Sequence, residues 1–217
     1  MKPLTQKFPE LCKLALLILT DGYLQKRGNS WRIGFYSQDI ELIKLFKKLL
    51  FTTFQMTANV RRTKRCWVVE KTAKEFGVFR DIFGSLSTKS ETINLEPLTR
   101  NLSKQEILRI VFSTEGTVSP SFKNNELIEI RILFTSKSKC FRKFVRNLLH
   151  ELGIETREYQ DDVVIRKINS VKKFYKKIGF IKGVKIRKSS RWRGFEKDNF
   201  LREMLRLYAY YHPTKLR

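Results

Sequence analysis

Two nine-residue stretches decide how this chain folds: Leu14-Ala-Leu-Leu-Ile-Leu-Thr-Asp21-Gly22 and Leu108-Arg-Ile-Val-Phe-Ser-Thr-Glu115-Gly116. Each is a mostly apolar helical run that closes on an acid and a glycine. An acid is unfavourable at that end, because the helix macrodipole is already negative there. The glycine fits a left-handed position just past the helix, which explains the glycine but not the acid before it. One such ending is ordinary; a second in a matching place indicates a duplicated chain.

The residues after each stretch repeat the same plan. Alternating patterns at 23–27 and 30–37 flank Gly28-Asn29, and those at 117–123 and 126–135 flank Asn124-Asn125, so both read as β-hairpins. Trp31, Ile33 and Phe35 fall on one strand face, as do Ile128, Ile130, Ile132 and Phe134, which leaves Arg32, Tyr36, Glu129 and Arg131 opposite. A helix follows each hairpin, with Ile40, Ile43, Phe46 and Leu50 in the first copy and Phe141, Phe144, Val145, Leu148 and Leu152 in the second at helical spacing. A second basic hairpin and a short helix complete each copy. The organisation is a first repeat over 1–83, a linker over 84–105, a second repeat over 106–180 and a basic C-terminal extension with a helix over 181–217.

Composition limits the partners. The 217 residues include 45 Lys plus Arg against 21 Asp plus Glu, a net charge of +24 that points to a polyanion. With 17 Phe, 7 Tyr and 3 Trp the charge sits on a folded body rather than a disordered tail. No membrane-spanning run or secretory signal is readable, and Cys12, Cys66 and Cys140 support neither a disulfide framework nor a zinc module. Common hydrolase and nucleotide signatures are missing, including G-x-S-x-G and the phosphate-binding G-x-x-x-x-G-K-[ST]. If the two apolar helices pack side by side, Asp21 and Glu115 reach the same end, where a hard divalent cation would relieve their repulsion.

At these residues the chain resembles the LAGLIDADG homing endonucleases, in the single-chain form with two motif copies. It departs from them at Leu16 and Ile110, where the family has a small residue, and at Leu19 and Ser113, where the family's name has its first Asp. The resemblance implies an α+β fold of two pseudo-symmetric α-β-β-α-β-β-α units forming a DNA-binding saddle of antiparallel sheets. It also implies that Asp21 and Glu115 coordinate Mg²⁺ near two scissile phosphates, so that both strands are cut across the minor groove with 3′ overhangs. Aligning Leu49-Leu50 with Leu148-Leu149 sets Gln38 against Lys137, and this pair matches the family's solvent-organising position. For a further active-site cation, Lys64, Arg61 and Arg157 compete.

Base reading falls to the outward hairpin residues, since a two-stranded ribbon fits the major groove. The candidates are Gln25, Arg27, Arg32, Tyr36, Arg61 and Arg65 in the first half, and Ser119, Ser121, Lys123, Glu129, Arg131, Arg157 and Arg166 in the second. Glu129 stands out as an acid among cations, suited to accept from a cytosine amino group. The basic stretch from Lys182 to Lys197 is expected to hold phosphates or to stay mobile, and not to read bases. The expected protein is a monomer acting on double-stranded DNA in the cytoplasm, nucleoid-associated, or in an organelle. The alternatives are an intron-splicing maturase that binds RNA on the same scaffold, and a DNA-binding regulator.

Overall fold

The computed structural model describes residues 7–86, 93–186 and 192–213. They divide into two compact units, Met1–Thr114 and Glu115–Arg217. The first opens with helix α1 (Phe8–Asp21), in which Leu11, Cys12 and the whole run Leu14 to Thr20 are buried. A helix apolar on nearly every side must be enclosed by others, and this one is. It runs directly into strand β1 (Gly22–Arg27), which pairs with β2 (Ser30–Ser37); α2 (Ile40–Phe54), β3 (Val60–Arg62), β4 (Trp67–Ala73), a 3-10 turn and α3 (Gly77–Phe83) follow. The antiparallel sheet has the order β1-β2-β4-β3. Ile33 and Phe35 enter the core, where the Phe35 ring stacks on Phe46 at 5.2 Å, and Trp31 on the same strand face is half-buried.

Gly22 departs from the expected left-handed cap. Its backbone is extended, with φ at −120° and ψ at −168°. Glycine is needed there for space: a Cβ would lie 2.6 Å from the Gly34 carbonyl oxygen and 2.7 Å from the Ile18 Cα. Helix becomes strand with no loop between, and only a bare α-carbon passes the turn. Gly116 is likewise absent from the left-handed glycines among the described residues.

The stretch read as a linker is more structured than its composition suggests. It contains α4 (Glu96–Asn101), which packs on α1, with the Cys12 thiol 3.5 Å from the Pro97 carbonyl oxygen. Helix α5 (Lys104–Glu115) begins before residue 106 because Ser103 and Glu106 form a capping box, in which the Glu106 N–H donates to Ser103 Oγ and the Ser103 N–H donates back to Glu106 Oε2, each at 3.2 Å.

The second unit repeats the plan with β5 (Gly116–Lys123), β6 (Glu126–Thr135), α6 (Lys139–Glu151), β7 (Arg157–Tyr159), β8 (Asp162–Ile165) and α7 (Ile168–Lys177), in the sheet order β5-β6-β8-β7. One expectation fails. Ser121 pairs with Glu129 but Phe122 pairs with Leu127, so Ile128 is an extra residue in a bulge. Leu127 is fully buried and Ile128 is 45% exposed, reversing the simple alternation.

Helix α8 (Lys197–Tyr211) closes this unit against β5, β6 and α7. Its first residue corrects another expectation: Lys197 is buried, so it holds no phosphate. Its ammonium donates to the Gly116 carbonyl at 2.6 Å and lies 5.7 Å from the centre of the Phe180 ring. Arg187, Lys188 and Arg191 of the same basic stretch lie outside the described residues. Among the described residues no helix is long and apolar enough to cross a membrane.

Candidate active site and nucleic-acid interface

The two motif helices end in the same atomic pattern. Thr20 donates its hydroxyl to the carbonyls of Leu16 and Leu17, both at 3.1 Å. Thr114 does the same to Ile110 and Val111, at 3.1 and 2.9 Å. Each threonine precedes the acid, and Asp21 and Glu115 are both half-buried. Neither helix has a basic residue in its last turn, so each negative helix end carries an acid and no Lys or Arg within that turn. In the first unit, Lys13 of α1 pairs with Glu106 of α5 at 3.0 Å. Lys13 stands one residue before its nonamer and Glu106 two before its own, so the contact joins the helices at nearly corresponding levels. It also holds the Glu106 carboxyl below its usual pKa, with Ser103 contributing second.

The donor set suits a hard divalent cation: carboxylate oxygens at helix ends already rich in carbonyl density. Among the described residues no cluster of three or more His, Cys, Asp or Glu could hold a metal by protein ligands alone. Water and phosphate oxygens would have to complete any shell built on Asp21 or Glu115, as is usual for Mg²⁺.

Gln38 and Lys137 occupy the same local frame. Gln38 lies between Ser37 and Asp39, where the Asp39 N–H donates to Ser37 Oγ at 3.1 Å; Lys137 lies between Ser136 and Ser138, where the Ser138 N–H donates to Ser136 Oγ at 3.3 Å. Both side chains are exposed. In the second copy a buried arginine, which the sequence reading passed over, anchors this turn. Arg142 donates to the Ser136 carbonyl at 2.5 Å and reaches Glu158 and Asp161 at 3.0 and 3.2 Å. The equivalent residue of the first copy is Ile43, so no apolar period could have pointed to it.

Strand register settles which of the candidate residues share a face. Tyr23 is opposite Gly34, Gln25 opposite Arg32 and Arg27 opposite Ser30; Gly34 is opposite Glu70, and Tyr36 and Arg61 are both opposite Val68. Gln25, Arg27, Arg32, Tyr36 and Arg61 therefore lie together on the face away from Ile33 and Phe35. Arg65 is exposed in the turn between β3 and β4. In the second sheet Ser119 is opposite Arg131, Ser121 opposite Glu129 and Arg157 opposite Val164, with Lys123 at the far end of β5. Arg166 follows β8 on the same side, and Glu129, Arg157 and Arg166 line a cavity of about 510 Å³.

Several of these side chains are already engaged. Glu70, which the sequence reading passed over in its basic hairpin, accepts from Tyr23 at 2.6 Å, Arg32 at 2.9 Å, Arg61 at 3.1 Å and Tyr36 at 3.2 Å. The Tyr23 hydroxyl first, then Arg61 and Arg32, hold its carboxyl down at about 2, while burial and this carboxylate push the Tyr23 phenol up. Glu129, the acid among cations, accepts from Arg166 at 2.8 Å and pairs with Arg131 at 3.5 Å. Arg157, and then Arg166, keep the Tyr159 phenol below its usual value.

Comparison with known proteins gives these features a context. The model of the LAGLIDADG-like domain matches residues 103–179. The homing endonuclease I-DmoI in complex with DNA and Mn aligns at 16% identity and a TM-score of 0.52, covering 79% of this chain and 97% of that one; the same protein is also known with DNA and Ca. I-WcaI bound to its DNA recognition sequence aligns at 14% and 0.54, covering 79% and 80%. The N-terminal LAGLIDADG domain of DUF199/WhiA aligns at 13% and 0.51, covering 88% and 87%. No curated protein matches the chain. Residues 103–179 thus match the LAGLIDADG-like domain, and the chain as a whole shares the fold of the solved LAGLIDADG homing endonucleases.

Proposed function

We propose that this chain is a monomeric, site-specific DNA endonuclease that makes a staggered double-strand break at an insertion site, acting wherever that DNA resides, in a nucleoid or an organelle. The observation that carries the reading is the matched pair of helix ends, each with a back-bonded threonine, an acid and a strand-entering glycine, in a chain of net charge +24. An acid is unfavourable at the C-terminal end of a helix, so its retention at both motif ends points to a use beyond packing.

Asp21 and Glu115 would hold the divalent cations, Mg²⁺ in the cell. A bound cation supplies Lewis-acid stabilisation of charge on the phosphate and lowers the pKa of attacking water. The similar proteins solved with DNA and Mn or Ca support divalent metal use. Lys137 would offset negative charge on one phosphate with its ammonium, and Gln38 would offer an amide able both to accept from water and to donate to a phosphate oxygen. Arg142, through Ser136, keeps the Lys137 turn in place. The outward faces of the two sheets grip duplex DNA, with most contacts going to phosphates and a minority to base edges.

The test is incubation with a plasmid library carrying randomised inserts, with Mg²⁺ or with EDTA. Metal-dependent double-strand breaks at one sequence family, with 3′ overhangs, are expected. Asp21→Asn and Glu115→Gln should each lower cleavage by at least about 100-fold while retaining DNA affinity. Stimulated RNA splicing with every duplex left intact would overturn the proposal in favour of a maturase.

A further inference from the structure

Each sheet bears an arginine at the same place in the repeat. Gly22 pairs with Phe35 and Gly116 with Phe134, so Arg32 and Arg131, three residues before these phenylalanines, correspond. Each is paired with a carboxylate that also pairs with a second arginine: Glu70 with Arg32 and Arg61, Glu129 with Arg131 and Arg166. The two acids are not copies of one another. Glu70 lies on β4 opposite Gly34, and the matching position of the second sheet is Val164, opposite Leu133. Glu129 lies on β6 two residues before Arg131, and the matching residue of the first sheet is Ser30. Duplication therefore did not supply both clasps; the arrangement arose in each half from a different strand.

An acid on a DNA-facing sheet repels phosphate, so its presence calls for a compensating use. Here the two carboxylates are the less exposed partners, with side chains 15% and 23% accessible against 34 to 62% for the four arginines. Glu70 takes one Nη2 from each partner, Arg32 at 2.9 Å and Arg61 at 3.1 Å; on the second sheet Arg166 donates Nε to Glu129 at 2.8 Å, while Arg131 lies 3.5 Å from Glu129 through Nε and donates Nη2 to Ser121 at 3.1 Å. Gly34 helps on the first sheet: a Cβ there would meet the Tyr23 ring at 2.2 Å, so only glycine lets the tyrosine lie across the strand and reach Glu70. An arginine held this way loses little freedom on meeting a base edge and cannot easily swing to the nearest phosphate.

We infer that Glu70 and Glu129 are specificity-determining positioning residues, which fix Arg32, Arg61, Arg131 and Arg166 for base reading and withhold them from phosphates. The inference rests on the DNA-binding reading above and predicts that the clasps exchange general affinity for discrimination. On the second sheet the cavity beside Arg166 gives that side chain room to move once released.

The experiment measures two quantities for the full chain, for Glu70→Gln and for Glu129→Gln. One is affinity for a random-sequence duplex as a function of salt; the other is the consensus selected from a randomised duplex library. Each variant should bind the random duplex severalfold more tightly, with a log–log salt slope steeper by about one. Each should lose about tenfold of its base preference in one half-site only, Glu70→Gln in one half and Glu129→Gln in the other. Adding Arg32→Gln and Arg61→Gln to Glu70→Gln should cancel the gain in affinity, and Arg61→Gln alone, at a well-exposed side chain, should erode the same half-site. Unchanged slopes and unchanged half-sites in variants that melt like the parent would refute the clasps while leaving the endonuclease reading standing. If the unaltered chain binds no duplex, the endonuclease reading itself falls, and this inference with it.

Discussion

Acidification gives a direct measure of the Glu70 cluster. Its carboxyl, ordinarily near 4.5, is held at about 2, a difference of about 2.5 pH units that corresponds to at most about 3.4 kcal/mol at neutral pH. Arg32 and Arg61 are 34% and 62% exposed, so water screens their share and about 2 kcal/mol is the working figure. The folded-state pKa is depressed, so the stabilisation is complete above the unfolded value near 4.5 and is lost as pH falls toward 2. At pH 3 less than half should remain. Urea unfolding of the parent chain and Glu70→Gln at pH 7, 5 and 3 reads this difference, since the other carboxylates titrate in both proteins and cancel. The expected gap is about 2 kcal/mol at pH 7, nearly the same at pH 5 and below half at pH 3. A gap that stays constant from pH 5 to pH 3 would mean that Glu70 acts through shape and not charge.

Other outcomes follow from single contacts. Gly22→Ala places a methyl group against two backbone atoms, neither of which can swing away, and should cost about 1–3 kcal/mol in chemical denaturation. Lys197→Ala removes a buried stem and the donor to Gly116 and should cost about 2–4 kcal/mol, whereas Lys197→Met, which keeps the stem and sheds a buried charge, should cost clearly less by thermal melting. Duplex affinity measured between 50 and 200 mM salt should fall with a log–log slope near −5 if about six phosphates are neutralised, and a slope near zero would exclude the electrostatic grip.

The repeat was readable because its signal is physical and local. An apolar helical run with an acid and a glycine at its end, then alternation about Gly28-Asn29 or Asn124-Asn125, needs no knowledge of distant residues. The outward strand faces followed from period two along each first hairpin, except at Ile128, where a bulge inserts one residue and no composition cue marks it. What stayed hidden depends on partners far along the chain. Glu70 reads as one acid in a basic hairpin until four donors from β1, β2 and β3 converge on it. Lys197 reads as one more cation in a basic stretch, and only the packing of α8 shows that its ammonium belongs to the turn after Glu115. Gly22 was correctly seen as required but for the wrong reason, because close approach and positive φ leave the same letter in a sequence.

The two copies have diverged unevenly, and the pattern bears on the proposed function. At the motif helix ends the atoms repeat: Thr20 and Thr114 make the same pair of bonds, and Ser37 and Ser136 cap the same turn. On the sheet faces and behind them the copies part: Glu70 corresponds to Val164, Ser30 to Glu129 and Ile43 to Arg142. Hydrolysis poses the same chemical problem on both strands of a duplex, because every phosphodiester is alike, so the helix ends proposed to hold the cations have reason to stay alike, although the turns beside them carry Gln38 in one copy and Lys137 in the other. Base sequence differs from one half-site to the other, so the faces that read it have reason to separate. A scaffold whose sole task was to pack would favour neither pattern over the other. A protein kept only to bind would be under no demand to hold two acids and their threonines in register.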